Sequence, residues 1–242
     1  MSNLHTRLQN DYATLQAKQK SAAIREASIG RLQRLLAPHL PGSCQRALDL
    51  GAGQGELVEA LQRLGCASAS GVELSSSQVQ QAQVHGCTAV SLGDALETLQ
   101  SLPEDSLDLI TCFDVFEHLP HELCASWFEQ ISRVLRDGGR LIGHVPNGLS
   151  PFAGAVYWGD LTHRWCPVPE SIQVFCRASG LRWIGAYENI GASPGFKGQL
   201  RSFAWRVVRV AMAVVSTVET GSNASKAPWS RTFLFVAEQL RP

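Results

Sequence analysis

Three glycines two apart, in Ala47-Leu48-Asp49-Leu50-Gly51-Ala52-Gly53-Gln54-Gly55-Glu56, close a short apolar run and lead into a helical one. Glycines at such a place permit a tight turn and let a ligand lie against bare backbone at the carboxyl end of a strand. Glu73, in Gly71-Val72-Glu73-Leu74, stands 22 positions after Gly51 (73 − 51). An acid at that distance, ending the next strand, can accept hydrogen bonds from both hydroxyls of a ribose. A dinucleotide site would space its glycines G-x-G-x-x-G and set a pyrophosphate on the helix N-terminus. Here the spacing is G-x-G-x-G, with Asp49 before it and Glu56 after it. Carboxylates crowding the turn disfavour a phosphate and suit a ligand that carries an ammonium or a sulfonium.

The elements that must position these residues alternate. Short apolar runs near 46–50, 69–74, 88–92, 107–113 and 139–145 read as strands, separated by helices near 55–64, 76–85, 95–101 and 121–136. Alternation of this kind means βαβ crossovers and a parallel sheet covered on both faces, an α/β fold. Pro103-Glu104-Asp105 and Asp137-Gly138-Gly139 read as turns that admit the next strand. Beyond Val145 the pattern loosens: a Gly/Pro-rich stretch to about 167, a helix near 168–179, a strand near 181–187, an apolar helix near 199–218 and a last strand near 232–238. Leu4, Leu8, Tyr12 and Leu15, then Ile24, Ile29, Leu32, Leu35 and Leu36, recur at helical spacing, so residues 1–42 are expected to form a helical lid.

The acid-x-G-x-G-x-G run, Glu73 and Asp94 together resemble the class I S-adenosylmethionine-dependent methyltransferases, over about 45–145 closely and more loosely to the C-terminus. The resemblance implies a Rossmann-like seven-stranded sheet, mostly parallel, with its last strand antiparallel and helices on both faces. Residues 43–242 would be the methyltransferase domain, with an acceptor loop at about 146–167 and a helical insertion at about 188–228. S-adenosylmethionine would be the cofactor. Gly51 and Gly53 would lie against its methionine part, with Asp49 and Gly55 of the same run also in the cofactor site, Glu73 would hold its ribose and Leu74 would pack on its adenine. Asp94 would accept from the adenine amino group beside the Ala95 amide, and the backbone near Phe113 would face the methionine end. For Asp94 a plain helix cap is the competing reading.

Methyl transfer from a sulfonium is an in-line displacement, so the enzyme must align the acceptor and, for a hydroxyl, take its proton. Histidine, with an ordinary pKa of roughly 6.5, is the natural base. His118 lies in Thr111-Cys112-Phe113-Asp114-Val115-Phe116-Glu117-His118-Leu119, similar to the family segment in which an acid and a histidine precede a leucine. His163 closes Asp160-Leu161-Thr162-His163 in the loose stretch after the fifth strand, where family members place acceptor contacts. His118, His163 and Asp160 are therefore the catalytic candidates, against a structural role for His118 and a loop-stabilising pair for His163 and Asp160. His144 reads as a satisfied sheet residue, and no spacing suggests a metal set. The D-x-T-H run and the apolar helix also resemble a branch of methyltransferases of surface-polysaccharide and sugar- or lipid-linked pathways. Members usually carry proline where Leu161 stands, which bears on the loop's geometry.

The leading expectation is O-methylation of a sugar or lipid-linked hydroxyl. The alternatives are a quinone precursor or other small molecule as acceptor, or a non-catalytic S-adenosylmethionine-binding partner of a biosynthetic complex. Glycine spacing and the lack of a hydride-transfer motif argue against a nicotinamide oxidoreductase. With 45% apolar and 17% charged residues the chain can bury a sizeable core, and 21 basic against 21 acidic residues exclude a dedicated nucleic-acid binder. The charge is uneven: residues 1–196 hold 14 basic and 19 acidic residues, and 197–242 hold 7 and 2. Arg201, Arg206 and Arg209 beside the valines of 199–218 leave two readings of that helix: a packing cap or homodimer contact, and an interfacial helix on an anionic membrane. Seven irregularly spaced cysteines without C-x-x-C suggest neither a disulfide framework nor a zinc site, and with a polar N-terminus they point to the cytoplasm.

Overall fold

The computed structural model describes residues 21–189, 196–221 and 225–241. The first expected helix, over Leu4 to Leu15, lies outside the described residues. Helix α1 (Ala22–Leu36) begins at Ser21, whose hydroxyl caps the Ile24 amide. It buries Ile29, Leu32 and Leu36 against the helix that follows the glycine loop. That helix, α2 (Glu56–Arg63), is followed by α3 (Ser76–Val84), α4 (Ala95–Ser101) and α5 (His121–Val134). They alternate with β1 (Arg46–Leu50), β2 (Ser68–Glu73), β3 (Val90–Leu92), β4 (Leu107–Phe113) and β5 (Leu135–Pro146). The chain continues through the single turn α6 (Gly154–Tyr157), then α7 (Pro169–Ala178), β6 (Leu181–Glu188), the long α8 (Phe196–Thr220) and β7 (Thr232–Gln239).

The seven strands form one sheet in the order β3-β2-β1-β4-β5-β7-β6. The first five pair in parallel, and β7 inserts antiparallel between β5 and β6. Successive residues of a strand point to opposite faces, and both faces are covered. In β4, Leu109 joins the cluster of α1 and α2, with Leu57, Val58 and Leu61. Its neighbour Ile110 joins Phe116, Phe128 and Ile131 on the α5 side. The strand order reverses between β1 and β4, and in such a sheet the crevice at the strands' carboxyl ends is where a ligand can enter.

Two expectations are corrected. Asp137-Gly138-Gly139 does not end in a turn before the strand: β5 starts at Leu135 and absorbs the glycines at a register shift against β4. Cys44 and Cys66 are joined as a disulfide, with Cα atoms 5.0 Å apart. The pairing of Arg46 with Ser68 brings the two residues preceding each strand together, a consequence of register that spacing along the chain does not reveal.

Helix α8 leaves Phe203, Val207, Val210, Val214 and Val218 exposed. No helix among the described residues is long and apolar enough to cross a membrane. Its arginines do not act as one set. Arg209 pairs with Glu188 at 3.2 Å and donates to the Ser225 carbonyl, while Arg201 lines the cleft beneath the helix.

Gly55 shows how tightly α2 is seated. Its φ is +78°, and a Cβ there would stand 2.5 Å from the Cys87 sulfur. Gly55→Ala therefore combines a left-handed backbone with overpacking, and a loss of about 2–4 kcal/mol is expected in urea unfolding.

Candidate active site

The glycine loop turns where β1 meets β2. The Gly51 and Ala52 amides both donate to the Val72 carbonyl, and the Gly53 amide donates to Glu73 Oε2 at 2.9 Å. Glu73 Oε1 accepts from the Ser75 amide at 2.8 Å. The acid thus ties the loop to β2 and still has lone pairs for a ligand. Gly53, with φ +50°, has nothing within 4 Å of where a Cβ would project, so its backbone borders open space. Beside it Leu74 is 73% exposed, an apolar side chain open at a strand end. Bare backbone, an acceptor carboxylate and an open apolar side chain fit a nucleoside. Asp94 caps α4, its Oδ1 accepting from the Leu96 and Glu97 amides, next to Ala95 at the helix start.

Asp49, expected in the cofactor site, is buried rather than open to a ligand. Its carboxyl is buried and accepts from the Thr111 hydroxyl at 2.7 Å. Burial raises its pKa to about 7, the Thr111 hydrogen bond lowers it in part, and the Glu73 charge adds to the rise. It supports the loop from below.

The two candidate histidines, 45 positions apart (163 − 118), meet with ring centroids 4.6 Å apart. Their hydrogen bonds decide their tautomers. His163 Nδ1 lies 3.0 Å from the Tyr157 carbonyl oxygen, which can only accept, so Nδ1 carries the proton and Nε2 a lone pair. The Thr162 hydroxyl donates its one proton to Asp160 Oδ1 at 2.6 Å. It must then accept from His118 Nδ1 at 2.8 Å, which frees His118 Nε2 as well. Asp160 also accepts from the Thr162 amide, so the D-x-T-H run is a closed turn whose hydroxyl orients the other histidine.

His163 Nε2 lies 3.8 Å from Asp160 Oδ2 and 3.9 Å from Glu117 Oε1. Glu117 is almost wholly buried, and its Oε2, like Asp160 Oδ2, has no hydrogen-bond partner. Burial, with Asp114 and Asp160 nearby, pushes the Glu117 carboxyl well above the usual range. Burial opposes the Asp160 charge, but the Thr162 hydroxyl and amide and both histidines outweigh it and hold that carboxyl low. His118 is pushed down by burial and then by His163. The arrangement can take up a proton at His163 Nε2 between two acids. Glu117, His118 and His163 each also present a ligand atom within 4.8 Å of the others, a set able to hold a cation.

Sequence reasoning missed a second acid–histidine pair. Asp114, at φ +56°, turns the chain off β4 and takes a 2.7 Å hydrogen bond from His144 Nδ1. His144 Nε2 accepts from the Asn189 amide at 2.7 Å. Burial would raise Asp114, but its charge interaction and hydrogen bond with His144 prevail and lower it. His144 packs on Phe113, and both line a cleft of about 1240 Å³ that also takes in Glu117, His118, Asp160 and His163. The signal available was the alternation of β5, which points His144 and Ile142 to the same face. The cleft at the strand's end was not visible in it.

The model of the family described as "Methyltransferase domain" matches residues 17–187. The chain belongs to this methyltransferase family. As a class I methyltransferase it uses S-adenosylmethionine and is an enzyme. Among curated relatives, it is 34% identical over 157 residues to the ubiquinone biosynthesis O-methyltransferase of Hahella chejuensis, a match covering 59% of this chain and 64% of that one. The same enzyme of Albidiferax ferrireducens is 28% identical over 155 residues, covering 57% and 60%. The methyltransferase thus spans about six tenths of these relatives' length. A solved S-adenosylmethionine-dependent methyltransferase from Archaeoglobus fulgidus shares the fold with a TM-score of 0.64 at 22% identity, covering 89% of this chain and 94% of that one. Another, from Mesorhizobium loti, gives 0.57 at 18% identity, over 86% and 95%.

Asp49 supplies a pH test. Its folded pKa lies above its unfolded one, so the native state holds a proton that the unfolded chain has lost, and stability falls as pH rises toward about 7. Asp49→Asn keeps the acceptor for Thr111 and removes that penalty. Without cofactor, the variant should be more stable than wild type at pH 8.5, by about 3 kcal/mol more than at pH 5. Denaturant titrations at the two pH values check it.

Proposed function

We propose that this methyltransferase moves the methyl group of S-adenosylmethionine to a hydroxyl of a small aromatic acceptor of the quinone-precursor kind, with His163 taking the proton. The observation that carries the chemistry is the free lone pair of His163 Nε2, held in the cleft between Asp160 and Glu117. A base that becomes cationic is favoured where a carboxylate already faces it, here that of Asp160. His118 is less suited, since burial and His163 both resist its protonation. It serves as a positioning partner whose ring fills the space beside His163.

The acceptor reading rests on the printed names of the curated relatives, which concern a ubiquinone pathway. The earlier expectation of a sugar or lipid-linked hydroxyl has no such support. Bound S-adenosylmethionine supplies an electrophilic methyl group and a neutral thioether leaving group. For the cofactor, Gly51, Gly53 and Gly55 shape the turn, Glu73 accepts from the ribose, Leu74 and Ala95 border the adenine with Asp94, and Phe113 closes the methionine end.

Glu73→Ala should weaken S-adenosylmethionine and S-adenosylhomocysteine by roughly 1–3 kcal/mol in calorimetry, the scale of hydrogen bonds to a charged group. Calorimetry that finds no S-adenosylmethionine binding to wild type overturns the cofactor assignment. His163→Ala should slow turnover on a catechol by roughly 10²–10⁴-fold with cofactor affinity unchanged. Should His118→Ala show that loss and His163→Ala stay near wild type, the two roles are exchanged.

A further inference from the structure

The cleft is lined by both signs of charge. Asp114, Glu117 and Asp160, with the histidines, come from β5 and from the loops after β4 and β5. Arg31 and Arg34 come from α1, Arg201 from α8 and Arg231 from the turn into β7. These four guanidinium groups come from three separate parts of the chain, and among the described residues none makes an ion pair or a side-chain hydrogen bond. Several arginines elsewhere find carboxylates, Arg25 with Glu59, Arg63 with Glu26, Arg136 with Asp108, Arg140 and Arg182 with Glu238, Arg209 with Glu188 and Arg241 with Asp105. Exposed Arg46, Arg177 and Arg206 pair with none among the described residues, so what sets the four apart is that they line one cleft. Unpaired guanidinium groups lining one cleft repel one another, and an oxyanion bound among them relieves this with charge-assisted, often bidentate, hydrogen bonds.

The same cleft has apolar lining: Phe152 and Trp205, with ring centroids 6.0 Å apart, and Val156, Val208 and Leu35. Trp205 is fixed there by donating its indole N–H to Glu188. Resting on the proposed hydroxyl methylation, we infer that the acceptor carries an oxyanionic group, a carboxylate or a phosphate. Its ring or chain lies along the Phe152–Trp205 lining, the anion meets the arginine wall, and the hydroxyl reaches His163. The arginine wall selects the acceptor and orients it in one direction, because the Asp114 and Asp160 carboxylates beside the histidines reject the anion.

The test uses the full chain saturated with S-adenosylhomocysteine and three probes in calorimetry: protocatechuate, a catechol bearing a carboxylate; catechol itself; and inorganic pyrophosphate. An Arg31/Arg34/Arg201/Arg231→Gln variant is compared with an Arg46/Arg177/Arg206→Gln control, whose arginines are exposed outside this cleft. The expected result is binding of at least one anionic probe to wild type and control alike, weakened roughly tenfold or more in the cleft variant. Catechol should bind all three proteins equally. Preference for protocatechuate over pyrophosphate assigns the wall to a carboxylate, and the reverse to a phosphate. Failure of both anions to bind wild type, or equal losses in the control and cleft variants, overturns the inference. A transfer assay separates it from the reading beneath it. Equal KM for protocatechuate in wild type and cleft variant, with methylation intact, sinks only the arginine wall. Anion binding without methylation of either catechol sinks only the hydroxyl acceptor.

Discussion

Parallel pairing of β1 through β5 is the constraint from which the site follows. Strands that run the same way end at the same edge, so the loops after β1, β2, β4 and β5 are neighbours whatever their separation in the chain. The glycine turn, Glu73, Asp114 and the D-x-T-H loop all stand on that edge. The helices that close the crossovers bury both faces, leaving this edge as the place where polar groups can meet a ligand.

At the edge, a single hydroxyl proton does much of the ordering. Thr162 gives it to Asp160 and must then accept from His118, and the Tyr157 carbonyl settles His163 in the same way. Both imidazoles thereby donate at Nδ1 and leave Nε2 without a hydrogen-bond partner among the described residues. The buried acids beside them carry unsatisfied oxygens, an arrangement that is costly unless something arrives to use it. Stability is given up for an environment able to accept a proton from a substrate.

The disulfide and the Asp114–His144 pair have a common origin. Cys44 meets Cys66, and His144 meets Asp114, because neighbouring strands set their registers, and the partners are 22 and 30 positions apart (66 − 44 and 144 − 114). Helix α8 belongs to the same lesson: its arginines look like one basic face in the sequence, yet Glu188 claims Arg209 and the cleft claims Arg201.

The sequence by itself determined the alternation of strands and helices, because hydrophobic period and turn chemistry are local. It also determined the glycine turn with Glu73 after it, since a positive φ and a strand-end acid are demanded at particular positions. Asp160, Thr162 and His163 were likewise legible as a turn with chemistry in it. Only the tertiary structure decided that Thr162 orients His118, that Asp49 is buried support, that His144 faces a cleft and that four arginines line it. Those facts depend on which loops share an edge and on what burial leaves unpaired, and neither is a property of any window of the chain.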